Sequence, residues 1–218
     1  MQKHIFVLAL IFFLTGCQGI YDTYNFDIQD NRPLIPLDSD NEWVYRSDEY
    51  EGEIRYWIDS VFVYEYQDES IEMYSVKFDE GWTGEYLAFY YHGSFSQTLF
   101  WDIEPENPEL CFKYPVNTGD QWINDYHFDY LIAPYHRIDT YTCDSRSRVI
   151  AVPAGEFRCY DYKIERNIIR PESLTYSLNY YFSPGIGLIA IKRTESDTDN
   201  PDQFTEIWER KLISHKIR

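Results

Sequence analysis

Runs of β-forming residues alternate with short turn signals along most of the chain, and this pattern constrains the fold more than any other feature. The chain holds 21 Tyr, 14 Phe and 6 Trp, and aromatic and β-branched residues favour strands. Few stretches show the i, i+3, i+4 apolar spacing of an amphipathic helix. We therefore predict strands over residues 43–46, 53–66, 71–78, 86–91, 98–101, 122–126, 135–142, 148–152, 157–166, 175–182, 187–193 and 205–216.

Tight-turn signals separate these runs, and they include Glu51-Gly52, His92-Gly93, Asp144-Ser145, Pro153-Ala154-Gly155 and Ser183-Pro184-Gly185. Residues 103–113 contain two prolines and are expected to form a loop. Many short strands joined by tight turns predict an all-β fold. We expect a curved antiparallel sheet, shaped as a half-barrel or an open barrel.

One segment is repeated. Residues 36–43, Pro-Leu-Asp-Ser-Asp-Asn-Glu-Trp, recur at 115–122 as Pro-Val-Asn-Thr-Gly-Asp-Gln-Trp. Gly119 suits a left-handed backbone position, and Asp40, at the matching place, tolerates that conformation. The repeat indicates two related β-modules in one sheet, each opening with a turn and a core Trp, although chance is a competing explanation for an eight-residue match.

The N-terminus has the features of a bacterial lipoprotein signal. Residues 5–14 are an uninterrupted apolar run, shorter than the roughly 20 residues of a spanning helix and typical of a secretory h-region. Leu14-Thr15-Gly16-Cys17 resembles a lipobox, so we expect lipidation at Cys17 and membrane attachment through the N-terminal lipid. The predicted organisation is a signal peptide at 1–16, a lipidated Cys and tether at 17–32, and a single β-domain at 33–218. We expect a cell-envelope location, with the outer membrane favoured because Gln18 rather than Asp follows the Cys.

The charge of the chain excludes one class of partner. The formal net charge is −18, with 37 acidic against 19 basic residues. A chain this acidic repels nucleic acid, so we expect no nucleic-acid partner. Cys111, Cys143 and Cys159 remain after the anchor. An exported compartment permits a disulfide between Cys143 and Cys159, but we favour buried thiols.

Several of these segments together resemble a known family. They are the two Pro-to-Trp repeats, Val152-Pro-Ala-Gly-Glu-Phe-Arg-Cys-Tyr160, Tyr181-Phe-Ser-Pro-Gly-Ile-Gly-Leu-Ile189 and Trp208-Glu-Arg-Lys-Leu-Ile-Ser-His-Lys216. In order and spacing they are similar to bacterial lipoproteins of unknown function in the DUF3108 and TapB-like group. The resemblance implies a strongly curved antiparallel sheet, like the half-barrels of lipoprotein carriers, and no nameable enzymatic activity. At Asp40 the chain departs from the glycine that is usual in the group.

Motifs for cofactors or catalysis are incomplete. The sequence Gly185-Ile-Gly-Leu-Ile-Ala190 matches the G-x-G-x-x-A consensus for dinucleotide binding. That motif must be followed by a helix, but a strand is predicted here. Asp197, Asp199 and Asp202 are candidate calcium ligands, although the run is no EF-hand loop. His92, His127, His136 and His215 lack metal-ligand spacing, so only folding could assemble a site from them. We expect no cofactor, no resident metal and no enzymatic activity.

The aromatic residues are the best indication of function. Strands with aromatics on both faces expose one face unless something covers it, and such a face can bind an apolar ligand, a glycan or a protein. Packing of Tyr into a half-buried sheet is the alternative. We predict a non-enzymatic envelope lipoprotein that binds an apolar ligand or an envelope protein near the membrane. Two alternatives remain: a carbohydrate-active or glycan-binding protein with an aromatic cleft, and a structural component of an envelope complex. The candidate ligand-face residues are Tyr64, Tyr66, Tyr90, Tyr180 and Phe182.

Overall fold

Strands account for all the regular secondary structure in the residues that the computed structural model describes, which are 31–48, 52–79, 83–98, 108–128, 135–169, 174–196 and 204–218. Within these ranges no helix has the length and apolarity needed to cross a bilayer. Residues Arg32–Arg218 form one compact unit. The predicted signal peptide, Cys17 and most of the tether lie outside the described residues, as do Asp197, Asp199 and Asp202.

The strands follow one another in an up-and-down path. They are β1 (Glu42–Ser47), β2 (Glu53–Tyr66), β3 (Glu69–Asp79), β4 (Thr83–Tyr91), β5 (Ser94–Thr98), β6 (Leu110–Lys113), β7 (Gln121–Phe128), β8 (Tyr135–Val152), β9 (Gly155–Ile169), β10 (Leu174–Ser183), β11 (Gly187–Ser196) and β12 (Phe204–Lys216).

All twelve strands lie in one antiparallel sheet with the order β6-β5-β4-β3-β2-β1-β12-β11-β10-β9-β8-β7. Two six-stranded meanders, β1–β6 and β7–β12, are therefore joined by the pairing of β1 with β12. The sheet is nearly closed and barrel-shaped. Its two edge strands, β6 and β7, are linked by a hydrogen bond in which the indole N–H of Trp122 on β7 donates to the carbonyl oxygen of Cys111 on β6 at 3.1 Å. The predicted curved all-β fold is confirmed.

The two repeated segments form the same turn. Asp40 and Gly119 both have positive φ. The N–H of Asn41 donates to the Asp38 carbonyl at 3.1 Å, and that of Asp120 donates to the Asn117 carbonyl at 3.1 Å. Each turn leads into the first strand of one meander, β1 or β7, so the repeat marks the start of each half of the sheet.

Two predictions about local structure were wrong. Leu110–Lys113 was expected in a loop but forms β6, because it pairs with β5 and places fully buried Phe112 opposite Phe95. The turn expected at Asp144-Ser145 is absent, because β8 continues past it along β9 and absorbs the extra residues at two irregularities, one on each side of Ser145. The strand predicted at 98–101 overlaps β5 only at Thr98; residues 99–101 lie outside the described residues.

Alternation along the strands divides the apolar side chains between two clusters. The main core lies on the inner face of the sheet, where the Phe112 ring packs 4.8 Å from Phe182 and 5.3 Å from Tyr162, centroid to centroid. A second cluster, formed by Ile71, Met73, Leu87 and Phe89, lies on the opposite face of β3 and β4. Aromatics on both faces of these strands are therefore packed in large part by the protein itself.

The cysteines Cys111, Cys143 and Cys159 carry free thiols. Cys143 and Cys159 are fully buried in the main core. Neither buried thiol is in a disulfide. The Sγ of Cys143 lies 3.7 Å from the carbonyl oxygen of Ser145, and the Sγ of Cys159 lies 3.6 Å from that of Phe157. Cys143 and Cys159 are thus buried free thiols, as expected, whereas Cys111, which was also expected to be buried, is partly exposed.

Candidate functional site

A cavity of about 210 Å³ lies on the inner face of the sheet. Its walls come from both meanders and from the segment that precedes β1. The described lining residues are Ile35, Leu37, Trp43, Tyr45, Tyr56, Ile58, Val76, Tyr86, Ala88, Phe95, Gln97, Leu110, Tyr180, Phe182, Leu188, Ile191 and Arg210. Most of these side chains are apolar or aromatic, so the cavity is suited to an apolar group.

Aromatic rings from several strands line the cavity. On β10, the rings of Tyr180 and Phe182 are stacked at 6.1 Å with an interplanar angle of 7°. On β1, β2 and β4, the Tyr56 ring packs edge-on against Tyr45 at 5.5 Å and lies 6.3 Å from Tyr86. Rigid rings that brace one another in this way limit how far the walls can collapse into the space between them.

Hydrogen bonds to the backbone hold the wall formed by β1. The indole N–H of Trp43 donates to the Ile186 carbonyl at 2.6 Å, and the Tyr45 hydroxyl donates to the Leu188 carbonyl at 2.9 Å. Burial raises the pKa of Tyr45, and burial also raises the pKa of Tyr180. Both tyrosines are therefore neutral in the physiological range and contribute no negative charge to the wall.

Arg210 is the charged residue among the described residues that line the cavity. It lies on β12 opposite Ile191, and its guanidinium donates a hydrogen bond to the Tyr56 hydroxyl. The guanidinium carbon also lies 5.7 Å from the centroid of the Tyr56 ring and 5.9 Å from that of Trp208. A guanidinium carries five N–H donors, so this group can contact an oxygen atom or a negative charge at the edge of an apolar ligand.

A buried ionic network lies further along the inner face. Asp139 is fully buried, and the Arg166 guanidinium binds both of its carboxylate oxygens, Nε to Oδ1 at 2.8 Å and Nη2 to Oδ2 at 2.7 Å. Burial by itself lowers the pKa of Arg166, but the Asp139 carboxylate outweighs it and the net shift is upward. Arg137 adds a third group, with Nε 3.4 Å from Asp139 Oδ2. Because the Arg166 guanidinium and the Asp139 carboxylate satisfy each other through two hydrogen bonds, we interpret the network as structural.

The five candidate ligand-face residues lie in different places. Tyr180 and Phe182 line the cavity. Tyr90 packs against the main core, and its hydroxyl hydrogen-bonds to both the N–H and the carbonyl of Ile35, each at 2.8 Å. Tyr64 and Tyr66 pack against the second cluster, away from the cavity. A ligand-binding role for any of them stays a prediction.

Sequence reasoning missed Tyr56, Tyr86 and Arg210 as cavity residues. The available signal for Arg210 was its place in the alternation of β12, where Trp208, Arg210 and Leu212 share a face. A charged residue between two apolar residues on one face of a strand marks a polar group directed into the interior. The described lining residues include no carboxylate, whereas glycosidase chemistry uses a pair of them.

The fold and the cavity define a class of protein: a nearly closed antiparallel sheet around a small apolar cavity. The sequence matches no protein-family model and no curated protein. The chain is similar in structure to a "putative lipoprotein" from Parabacteroides distasonis, with 16% identity, a TM-score of 0.49, and coverage of 85% of this chain and 99% of that one. It is also similar to a "putative exported protein with YmcC-like fold" from Bacteroides fragilis, with 15% identity, a TM-score of 0.46 and the same coverage. Membership of the DUF3108 group stays a prediction.

Proposed function

We propose that this protein is a cell-envelope lipoprotein, anchored through acyl chains on Cys17, and that its interior cavity binds the apolar part of a small amphiphile. The observation that carries the proposal is the cavity of about 210 Å³, whose lining is mainly apolar and aromatic and includes Tyr56 on β2 and Tyr180 on β10. The lipobox supports the anchor, and two lipid chains already suffice for stable attachment.

The size of the cavity limits the ligand. An apolar cavity of about 150 Å³ in another protein stays dry and binds benzene. The space here is somewhat larger, so it accommodates a short alkyl chain or one aromatic ring rather than a whole diacyl lipid. The ligand class is therefore a small amphiphile or a single short segment of a larger one.

The position of Arg210 favours an acidic or oxygen-bearing head group. Arg210 lines the same cavity as the apolar surfaces of Tyr180 and Ile58, so a ligand whose chain contacts those surfaces can place its polar end at the guanidinium. Charge-assisted hydrogen bonds are stronger than neutral ones. We therefore expect octanoate to bind more tightly than octanol.

The length of the tether limits how far from the membrane the domain can bind its ligand. About 15 residues separate Cys17 from the domain, and a fully extended tether of that length reaches at most roughly 50 Å. The ligand is thus taken up from the membrane or from the space next to it.

Titration of octanoate and octanol into the protein in lipid nanodiscs, with empty nanodiscs as the blank, tests the proposal. Ala88→Leu places a larger side chain in the cavity wall and should abolish binding, whereas Val149→Leu, at a surface position, should leave it unchanged. Arg210→Met should remove the preference for octanoate and retain octanol binding. Equal binding by the wild type and Ala88→Leu, with both variants folded, would contradict a ligand in this cavity and leave protein binding as the alternative.

A further inference from the structure

Two histidines and one aspartate come together on the β7–β8 hairpin, away from the cavity. The donor atoms of Asp125, His127 and His136 all lie within 4.8 Å of one another. His136 Nε2 is 2.5 Å from Asp125 Oδ1, and His127 Nε2 is 3.4 Å from the same oxygen. The cluster therefore gathers three side chains around one point.

The strand geometry explains the grouping. Asp125 and His127 are two residues apart on β7, so they share a face. His127 is paired directly with His136 on β8, and their rings are stacked at 4.2 Å. The intervening Tyr126 points to the opposite, buried face, so the cluster lies on the outer face. The exposed fractions are 70% for His127, 55% for Asp125 and 30% for His136.

The donor set selects a class of metal ion. Imidazole nitrogen and carboxylate oxygen together suit Zn²⁺ and neighbouring transition metals, whereas Ca²⁺ and Mg²⁺ prefer oxygen ligands alone. Bonds of about 2.0–2.1 Å in a tetrahedral site separate donor atoms by roughly 3.3 Å. The donor atoms of the three side chains lie within 4.8 Å of one another, so the ion would draw them closer together by about 1.5 Å at most.

An ordinary His–Asp ion pair accounts for only part of the arrangement. It explains the contact between His136 and Asp125. It does not require a second imidazole directed at the same carboxylate oxygen. Two imidazoles beside one carboxylate, in a chain of net charge −18, form a surface that attracts a cation.

We propose that Asp125, His127 and His136 form a surface site for a divalent transition metal of the Zn²⁺ type, with water in the remaining coordination position. The ion joins β7, at the edge of the sheet, to β8. The site is independent of the cavity and of its ligand.

Isothermal titration of Zn²⁺ alone into the protein expressed from its full coding sequence tests the site. We expect one saturable Zn²⁺ per chain and no comparable binding of Mg²⁺. Removing a hydrogen-bond partner of a metal ligand costs about 10–100-fold in affinity. His127→Ala, His136→Ala and Asp125→Asn each remove a ligand itself and should weaken Zn²⁺ binding by at least that much.

His92→Asn is the matched control. His92 is exposed and lies beside a carboxylate, with Nε2 4.0 Å from Glu69 Oε2, but it belongs to a different hairpin. It also has positive φ, which Asn tolerates. This variant should bind Zn²⁺ as the wild type does.

Co²⁺ supplies a second readout, because its visible spectrum reports tetrahedral coordination by protein ligands. We expect that spectrum in the wild type and its loss in His127→Ala. Zn²⁺ binding of equal strength in the wild type and in a folded Asp125→Asn/His127→Ala/His136→Ala variant would overturn the proposal. So would a wild type that binds no Zn²⁺.

Discussion

Asp40 and Gly119 occupy the same left-handed backbone position in two repeated turns, with φ of 70° and 89°. In each turn the following residue also accepts a hydrogen bond from the adjoining strand: the Asn41 carbonyl from Ile58 N–H and the Asp120 carbonyl from Cys143 N–H, both at 3.0 Å. The two turns thus fix the start of β1 beside β2 and of β7 beside β8. A glycine is used in one copy and an aspartate in the other because both tolerate positive φ.

Gly119→Ala should therefore destabilise the protein by about 1–2 kcal/mol, the cost of holding an L-residue in this conformation. A Cβ at this position meets no atom within 4 Å, so the effect comes from the backbone alone. Asp40→Gly is the control, and it should change the free energy of unfolding by less than about 1 kcal/mol because it loses only an exposed ion pair with Arg218. Urea unfolding measures both, and an unchanged Gly119→Ala would contradict the argument.

Asp139→Asn should destabilise the protein strongly. The substitution leaves the Arg166 guanidinium, which is 13% exposed, without its charged partner. Breaking a buried ion pair in this way costs about 3–5 kcal/mol. The control is Glu165→Gln, which removes the exposed partner of Lys163 on the same strand and should cost less than about 1 kcal/mol. Thermal unfolding of the two variants distinguishes them.

The buried thiols should resist alkylation. Burial raises the pKa of Cys143 to about 11 and that of Cys159 to about 12, so the reactive thiolate is scarce at pH 8. Cys111 is partly exposed and should react first with iodoacetamide. Peptide mass spectrometry after timed labelling gives the order in which the three cysteines are alkylated. Protein unfolded in guanidinium chloride is the fully reactive control. Rapid labelling of folded Cys159 would be the contrary result.

Stability should fall at alkaline pH. Burial raises the pKa of Tyr45, Tyr141 and Tyr162 well above the usual value, as it does for the two buried thiols. The folded state keeps these protons while the unfolded chain releases them, from about pH 8.5 for Cys and about pH 10 for Tyr. The stabilisation is therefore complete below those values and is lost as the pH rises toward 12. Unfolding temperatures measured between pH 8 and 11 should decline steadily, and unfolding near pH 11 should add the tyrosinate absorbance of the buried tyrosines to that of the folded protein.

The lipid anchor also gives a prediction. Cys17→Ala should release the domain from the membrane without changing its unfolding temperature, because the acceptor of the acyl chains is lost and the β-domain begins well after it. Fractionation of cells followed by immunoblotting detects the release. Ser39→Ala, in the exposed turn before β1, is a control that should remain membrane-bound. Retention of Cys17→Ala on the membrane after signal cleavage would contradict the lipid anchor.

Most of the strands could be predicted because their signals are local. Alternation marks β2 and β3, and the turn residues at Pro153-Ala154-Gly155 separate β8 from β9 as expected. The short β6 could not be predicted, because four residues form a strand there only when β5 lies alongside. The continuity of β8 through Ser145 depends in the same way on its long pairing with β9.

The site was less predictable than the fold. Tyr180 and Phe182 were among the aromatic candidates, but Tyr64 and Tyr66 lie on the opposite face. The pairing of β2 with β3 shifts register between Ile58 and Ser60. This shift determines which face of the sheet the residues after Ser60, including Tyr64 and Tyr66, occupy. Shifting a strand by one residue exchanges its two faces, and nothing local specifies such a shift.

By itself the sequence determined the all-β class, the two matching turns and the predicted lipid attachment at Cys17, because each depends on residues close together along the chain. Only the tertiary structure decided that β1 pairs with β12, that Arg210 faces an apolar cavity, and that Asp125, His127 and His136 meet on one face. The physical reason is that strand pairing joins residues far apart in the chain, and the register of that pairing determines which side chains share a face.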